Sequence, residues 1–199
     1  MQKPKIGVDI DGVVLNILDP CTENMKVISP EFEPEDWKRY YLRNFFQPDG
    51  EDADAAIANE WLVGNLYEEQ KLVPYAIESL RVLAKKYKVY FVTNRDNSLK
   101  TMLATFDSFA RFSIPYETIF FAADKPKVIK RLQPLFFIED NLETSLKIAE
   151  VCQCFLFDYP YNRHVQEHQQ NGRIIRVGSF EEKNWWPCLL GELKAREMI

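Results

Sequence analysis

Residues 5–14, KIGVDIDGVV, decide the fold. β-branched residues predict a strand at the start of this stretch, and Gly12 marks the turn that ends it. Asp9 and Asp11 lie two residues apart at the strand end, where a turn can bring both carboxylates to one site. Beside a divalent ion such a pair suits phosphate chemistry, because one carboxylate can attack phosphorus while the other moves a proton. The motif also begins acidic turns and calcium loops, but Leu15 and Leu18 occupy positions at which a calcium loop needs oxygen ligands.

Strands and helices alternate along the rest of the chain. Near-continuous apolar strands are typical of a parallel sheet that is covered on both faces. The sequence therefore predicts an α/β fold with three layers. The predicted strands are 89–93, 119–121, 135–138, 154–157 and 173–177. One predicted helix begins at Pro74, and the others span 98–109, 125–132, 142–150 and 180–198, with Pro187 breaking the last.

Other polar residues follow strands of this predicted sheet. Parallel sheets bind ligands at the carboxyl ends of their strands, so these residues are candidates for the same site as the aspartates. Thr93 and Asn94 suit phosphate oxygens, although they also fit an ordinary strand-to-helix cap. Lys125 can offset charge on a phosphoryl group, or it can be a solvated lysine. Glu139 and Asp140 suit Mg²⁺, with one direct ligand and one indirect partner.

Composition limits the class of protein. The chain has 199 residues, of which 46% are hydrophobic and 28% charged, with a net charge of −5. No apolar run approaches the roughly 20 residues of a membrane span, so we expect a soluble, cytoplasmic protein that binds no membrane. Residues 16–74 hold 13 acids and 5 bases, which indicates an inserted unit and leaves no basic face for a nucleic-acid polymer. The four cysteines lack redox or zinc spacing and are expected to be reduced.

The order of these motifs resembles the haloacid dehalogenase (HAD) superfamily of phosphohydrolases. The four matching segments are Asp9-Ile10-Asp11-Gly12-Val13, Thr93-Asn94-Arg95, Lys125 and Ile138-Glu139-Asp140. The resemblance implies a HAD-like Rossmannoid core formed by residues 1–15 and 75–199, with residues 16–74 as a small helical cap inserted after the first motif. Residues 156–163 and the aromatic-rich insertion resemble the 5'(3')-deoxyribonucleotidase family and its bacterial nucleotidase relatives.

The resemblance also implies roles for the matched residues. Asp9 would be the nucleophile that forms an aspartyl-phosphate, and Asp11 the general acid for the leaving alcohol and then the base for water. Mg²⁺ would lie on the Asp9 carboxylate, the Asp11 backbone carbonyl and Asp140, with Glu139 nearby. Thr93 and Lys125 would hold phosphate oxygens. Many members have Asp-Asp where this chain has Glu-Asp, which leaves open the share of each acid in metal binding.

Substrate recognition is less determined by the sequence. Arg95 either binds substrate or pairs with Asp96 or another acid. Most aromatic residues of the insertion are expected to form its core, while Tyr41 and Phe45 are candidate contacts for a nucleobase. The predicted function is Mg²⁺-dependent hydrolysis of a small phosphate monoester, a deoxyribonucleotide by resemblance. A sugar-phosphate phosphatase and a non-catalytic binding protein on the same fold are the alternatives, and the sequence leaves a homodimer open.

Overall fold

A computed structural model describes residues 3–28, 30–31, 67, 70–163 and 172–199. Strands and helices alternate through these residues, as the hydrophobic pattern predicts. A 3₁₀ turn spans Pro160–Asn162. The elements are β1 (Lys5–Val8), β2 (Leu15–Asn16), α1 (Leu18–Ile28), β3 (Lys71–Leu72), α2 (Ala76–Lys86), β4 (Lys88–Thr93), α3 (Leu99–Phe112), β5 (Thr118–Phe121), α4 (Lys125–Leu132), β6 (Phe136–Glu139), α5 (Leu142–Ile148), β7 (Gln153–Phe157), β8 (Ile174–Val177) and α6 (Trp185–Ala195).

Six of the described strands form one parallel sheet in the order β5-β4-β1-β6-β7-β8. From β1 the chain builds outward to β4 and β5 on one side, then returns to add β6, β7 and β8 on the other. Val8, the last residue of β1, pairs with Phe91 in β4 and with Ile138 in β6. The strand order therefore reverses beside β1, and a ligand site is expected at its carboxyl end.

Side chains alternate between the two faces of the sheet and build a hydrophobic core on each. On β6, Phe136 and Ile138 belong to one core, whereas Phe137 belongs to the other. The first core also contains residues of α2, α3 and α6, and the second contains Ile129 of α4 and Ile148 of α5. This arrangement confirms the predicted α/β fold with three layers.

The predicted insertion is flanked by a short antiparallel ribbon. In it, Leu15 of β2 pairs with Leu72 of β3, and Asn16 pairs with Lys71. The Val73 amide also donates to the Val14 carbonyl at 2.9 Å. The ribbon therefore brings the two predicted boundaries, at 15/16 and 74/75, next to each other, although the start of α1 still packs into the first core. Most of the insertion, residues 32–66, lies outside the described residues.

The carboxyl-terminal region differs from the prediction in one respect. Pro187 does not break the last helix, because it lies in the first turn of α6, where a missing backbone N–H costs no hydrogen bond. Trp186 is fully buried, and its Nε1–H donates to the Val13 carbonyl at 2.9 Å. The helix therefore supports the turn that follows β1. All four cysteines are free, as expected. Among the described residues, no helix has the length and hydropathy needed to cross a lipid bilayer.

Replacing Trp186 by Phe tests this support. The substitution keeps an aromatic ring but leaves the buried Val13 carbonyl without its Trp186 donor. We expect the free energy of unfolding to fall by about 1–3 kcal/mol in urea denaturation. The control is Tyr116→Phe, which removes a hydroxyl from an exposed ring and should change stability by less than about 0.5 kcal/mol. Equal stability of the two variants would contradict the prediction.

Candidate functional site

Parallel strands deliver the predicted site residues to one edge of the sheet. Asp9 follows β1, Thr93 ends β4, Lys125 begins the helix after β5, and Glu139 and Asp140 stand at the end of β6. Helix α4 begins there because Asp124 caps it, accepting a hydrogen bond from the Lys127 amide, and Pro126 fits its first turn. The topology thus brings together residues up to 131 positions apart in the sequence.

Asp9 is a buried carboxylate with a fixed orientation. Only 5% of the residue is exposed. Its Oδ1 accepts a hydrogen bond from the Ile10 amide at 2.7 Å, and its Oδ2 lies 2.7 Å from Lys125 Nζ. Burial and the negative charge of Glu139 raise the pKa of Asp9 well above its usual value, although Lys125 opposes the shift. The side chain is held at the strand end by one amide and one ammonium group.

Lys125 is buried, which rules out the alternative of a solvated lysine. Its ammonium group also donates to Glu139 Oε2 at 3.0 Å and so bridges Glu139 and Asp9. Burial alone would lower the pKa of Lys125, but the two carboxylates outweigh it and raise the pKa. Glu139 Oε1 accepts from the amides of Asp140 and Asn141, each at 3.2 Å. Both Glu139 oxygens therefore accept hydrogen bonds, Oε2 from Lys125 and Oε1 from the backbone.

Asp140 completes a cluster of three buried acids. Asp9, Glu139 and Asp140 each offer a carboxylate oxygen, and these oxygens lie within 4.8 Å of one another. Burial and the charge of Asp9 raise the pKa of Asp140 to about 6. The Tyr161 hydroxyl donates to Asp140 Oδ2, and Asn162 Nδ2 donates to the Asp140 carbonyl at 2.6 Å.

Tyr161 and Asn162 were not singled out by the sequence analysis. They lie in segment 156–163, which contributes to the family resemblance, but no spacing rule links that segment to Asp140. Only the 3₁₀ turn after β7 brings them to the end of β6.

Asp11 forms an ion pair with Arg95 that is separate from the Lys125 bridge. Arg95 Nε and Nη2 donate to the two carboxylate oxygens of Asp11 at 2.8 and 2.6 Å. Gln70 Nε2 donates to Asp11 Oδ1 at 2.8 Å. Burial raises the pKa of Asp11, but the Arg95 guanidinium more than offsets this, so the pKa lies below its ordinary value. Arg95 thus pairs with an acid, as one alternative proposed, and that acid is Asp11. No sequence signal singled out Gln70.

The remaining predicted residues are placed as follows. Thr93 is buried, and its hydroxyl oxygen accepts from the Arg95 amide at 3.2 Å. Asn94 is exposed next to it. The candidate base contacts Tyr41 and Phe45 lie outside the described residues. Phosphate and substrate binding by these residues stays a prediction.

Known proteins resemble the chain in both sequence and fold. The sequence profile of the family described as 5' nucleotidase, deoxy (pyrimidine), cytosolic type C protein matches residues 3–182. A nucleotidase of Clostridium acetobutylicum is 27% identical over 188 residues, which is 92% of each chain. A HAD-like hydrolase of Streptococcus pneumoniae has a TM-score of 0.63 at 15% identity and covers 96% of this chain and 98% of its own. A HAD-type hydrolase of Bacillus subtilis, solved bound to magnesium, has a TM-score of 0.58 at 14% identity, covering 92% and 98%.

Gly12 shapes the turn between the two aspartates and the acid cluster. Its φ is +73°, and a Cβ atom there would lie 2.2 Å from Asp140 Oδ2. Gly172 has a similar φ of +66°, but no atom of the described residues lies within 4 Å of the added Cβ. A comparison of the two glycines therefore separates backbone strain from the clash with Asp140. We expect Gly172→Ala to cost about 1–2 kcal/mol of unfolding free energy from backbone strain. Gly12→Ala should cost about 1–3 kcal/mol more because Asp140 must move. Equal losses in thermal denaturation would refute the close approach.

Proposed function

Since the chain belongs to the 5' nucleotidase, deoxy (pyrimidine), cytosolic type C family and has the HAD fold, we propose that it hydrolyses deoxyribonucleoside monophosphates in a Mg²⁺-dependent reaction. One observation carries the proposal: Lys125 is buried between Asp9 and Glu139, at the strand end where Asp140 adds a third carboxylate. Buried charges are costly unless they are paired or used, so this cluster is a candidate reaction centre.

Asp9 is proposed as the nucleophile. One of its carboxylate oxygens attacks phosphorus, and the bond from phosphorus to the nucleoside oxygen breaks, which leaves an aspartyl-phosphate on Asp9. The Ile10 amide supports this role because it holds Oδ1 at 2.7 Å and so limits rotation of the carboxylate. Lys125 stabilises the ionised form of Asp9 before the attack and the charge on the phosphoryl oxygens during it.

Asp11 is proposed as the proton-transfer residue. It gives a proton to the nucleoside oxygen as that oxygen leaves. It then takes a proton from the water molecule that attacks phosphorus, which breaks the bond from phosphorus to Asp9 and releases phosphate. The Asp11 side chain keeps 19% of its surface exposed, which supports access by water.

Phosphate binding is proposed for Thr93, Asn94 and Lys125. Their donors stand at the ends of β4 and β5, on the side of β1 away from the acid pair after β6. A phosphate over Asp9 would therefore have hydrogen-bond donors on one side and carboxylates on the other. This asymmetry supports one orientation of a phosphate monoester.

The residues at this edge fit a divalent cation. Four acids, Asp9, Asp11, Glu139 and Asp140, face two described cations, Lys125 and Arg95, so full ionisation leaves an excess of two negative charges. Oxygen ligands are those that Mg²⁺ prefers. We assign the ion to Asp9, Asp140 and the Asp11 backbone carbonyl, and we assign Glu139 to holding Lys125, because both Glu139 oxygens already accept hydrogen bonds. Mg²⁺ bound there would neutralise charge on the phosphoryl oxygens.

Residues 16–74 are proposed as a cap over a core of residues 1–15 and 75–199. The β2–β3 ribbon at the base of this insertion supports the division, because it lies directly after Asp11 and Gly12. A cap restricts a site to small substrates, since it excludes bulk water during the reaction. Tyr41 and Phe45 remain the proposed base contacts on this unit.

Phosphate release tests the reaction. Wild-type protein with Mg²⁺ is expected to hydrolyse deoxynucleoside monophosphates faster than ribonucleotides or sugar phosphates, and EDTA should abolish the release. Asp9→Asn keeps the size of the side chain but removes the nucleophile, so activity should fall by at least about 10³-fold. Turnover of sugar phosphates alone would overturn the nucleotidase assignment while keeping the mechanism. Undiminished activity of Asp9→Asn would overturn the mechanism.

Mg²⁺ binding is testable without turnover. A ligand that binds only the folded state at 100 times its Kd stabilises that state by about 2.7 kcal/mol. We therefore expect Mg²⁺ to raise the melting temperature of the wild-type protein. Asp140→Asn should lose most of this increase, because it removes a proposed ligand. Asp107→Asn is the matched control, since Asp107 is exposed on α3. An equal response in both variants would place the ion elsewhere.

A further inference from the structure

We propose that Arg95 is a positioning residue for proton transfer, acting through Asp11, and that Gln70 and Thr105 hold Arg95 in place. This inference rests on the proposed function, in which Asp11 transfers the proton. It assigns Arg95 a role other than substrate binding. It also links the reaction centre to the chain segment that returns from the insertion.

The guanidinium of Arg95 is largely engaged within the protein. Nε and Nη2 donate to the two oxygens of Asp11. Nη2 also donates to Gln70 Oε1, and Nη1 donates to Thr105 Oγ1 at 2.9 Å. Four of the five N–H groups of an arginine side chain are thus accounted for.

The flat face of Arg95 is also covered. Its Cζ lies 4.1 Å from the centre of the Tyr67 ring, in a cation–π contact. Only 4% of the residue is exposed. Arg95 therefore has little surface with which to bind a substrate, whereas its contact with Asp11 is already made.

The contacts leave Asp11 with one defined oxygen for chemistry. Oδ1 accepts hydrogen bonds from both Arg95 Nη2 and Gln70 Nε2, while Oδ2 accepts from Arg95 Nε. Since a carboxylate oxygen can accept two hydrogen bonds, the described residues saturate Oδ1 but leave one lone pair on Oδ2. Arg95 and Gln70 thus orient Asp11 so that Oδ2 carries the proton between the leaving oxygen and water.

An arginine suits this role better than a lysine. Its planar fork binds both carboxylate oxygens at once and so sets the rotation of the carboxylate, while an ammonium group acts as a point charge. Thr105 supports the fork from α3, where its own hydroxyl donates to the Thr101 carbonyl at 2.7 Å. The orientation of Asp11 therefore depends on α3 as well as on the end of β4.

Arg95 is also held by two residues that lie outside the six-stranded sheet, Gln70 and Tyr67. Gln70 directly precedes β3, and Tyr67 lies three residues earlier, on the return path from the proposed cap. Gln70 is 1% exposed and contacts Arg95 and Asp11 together. Through Gln70, the segment that enters the core from the insertion helps to orient the proton-transfer group.

The test compares two substrates that differ in their need for a proton. Thymidine 5'-monophosphate releases an alkoxide that must be protonated, whereas p-nitrophenyl phosphate releases a stable anion. For Arg95→Met, we expect kcat/KM to fall by about 100-fold or more with thymidine 5'-monophosphate but by less than about 10-fold with p-nitrophenyl phosphate. Arg95→Lys should resemble Arg95→Met, because it lacks the fork. Gln70→Leu should show the same pattern with a smaller loss.

Activity towards p-nitrophenyl phosphate shows at once that a variant is folded. If Arg95→Met does not fold, Gln70→Leu decides the question by the same ratio. Arg196→Met is the control, because Arg196 lies at the carboxyl end of α6, where its side chain pairs with Glu192. It should leave both rates unchanged.

A double variant tests whether Arg95 acts through Asp11. If it does, adding Arg95→Met to Asp11→Asn should lower kcat/KM for thymidine 5'-monophosphate by less than about 3-fold further. The inference would be overturned if the losses in kcat/KM of the two single variants added up in the double variant, or if Arg95→Met lost equally with both substrates. The proposed function would still stand if the wild-type protein hydrolysed thymidine 5'-monophosphate. A rise in KM alone would indicate substrate binding and would also overturn it. A wild-type protein that hydrolyses neither substrate would overturn the proposed function and this inference with it.

Discussion

The buried bridge from Asp9 through Lys125 to Glu139 is the constraint on which the rest of the site depends. Three ionisable groups are removed from water at one edge of the sheet, and each would be costly there alone. Lys125 is kept charged by its two partners, and the Asp140 and Asn141 amides hold Glu139 in place. Burial and the neighbouring carboxylates raise the pKa of Asp9 and Asp140, and the proposed Mg²⁺ would offset this excess of negative charge.

Asp9 and Asp11 are separated by one residue but have opposite electrostatic environments. Burial and the charge of Glu139 raise the pKa of Asp9, whereas the Arg95 guanidinium lowers the pKa of Asp11. The two shifts differ because Lys125 shares its charge between Asp9 and Glu139, whereas Arg95 pairs with Asp11 through both carboxylate oxygens. These cations follow β5 and β4, so residues outside the motif that holds both acids set their electrostatic environments.

Aromatic residues of the carboxyl-terminal part of the chain support the turn that follows β1. Tyr159 stacks on Trp185 with ring centroids 4.7 Å apart, and its hydroxyl donates to the Gly12 carbonyl at 2.7 Å. With the hydrogen bonds from Tyr161 to Asp140 and from Trp186 to Val13, aromatic side chains reach three points around the turn. Each ring packs in the apolar core and also carries one hydrogen-bond donor, so the turn is well packed and its polar groups have partners.

The sequence by itself determined the alternation of strands and helices and the parallel sheet, because apolar periodicity and motif order are local properties of the chain. It also placed Asp9, Thr93 and Asp140 at strand ends and Lys125 at the start of a helix. It left Lys125 and Arg95 open between ordinary and functional roles. Only the tertiary structure decided that Lys125 is buried, that Arg95 pairs with Asp11, and that Gln70 and Tyr161 belong to the site. Those contacts join residues far apart in the chain. Which of them form depends on the strand order and on the partners available to buried charges and donors, and no local sequence pattern encodes either.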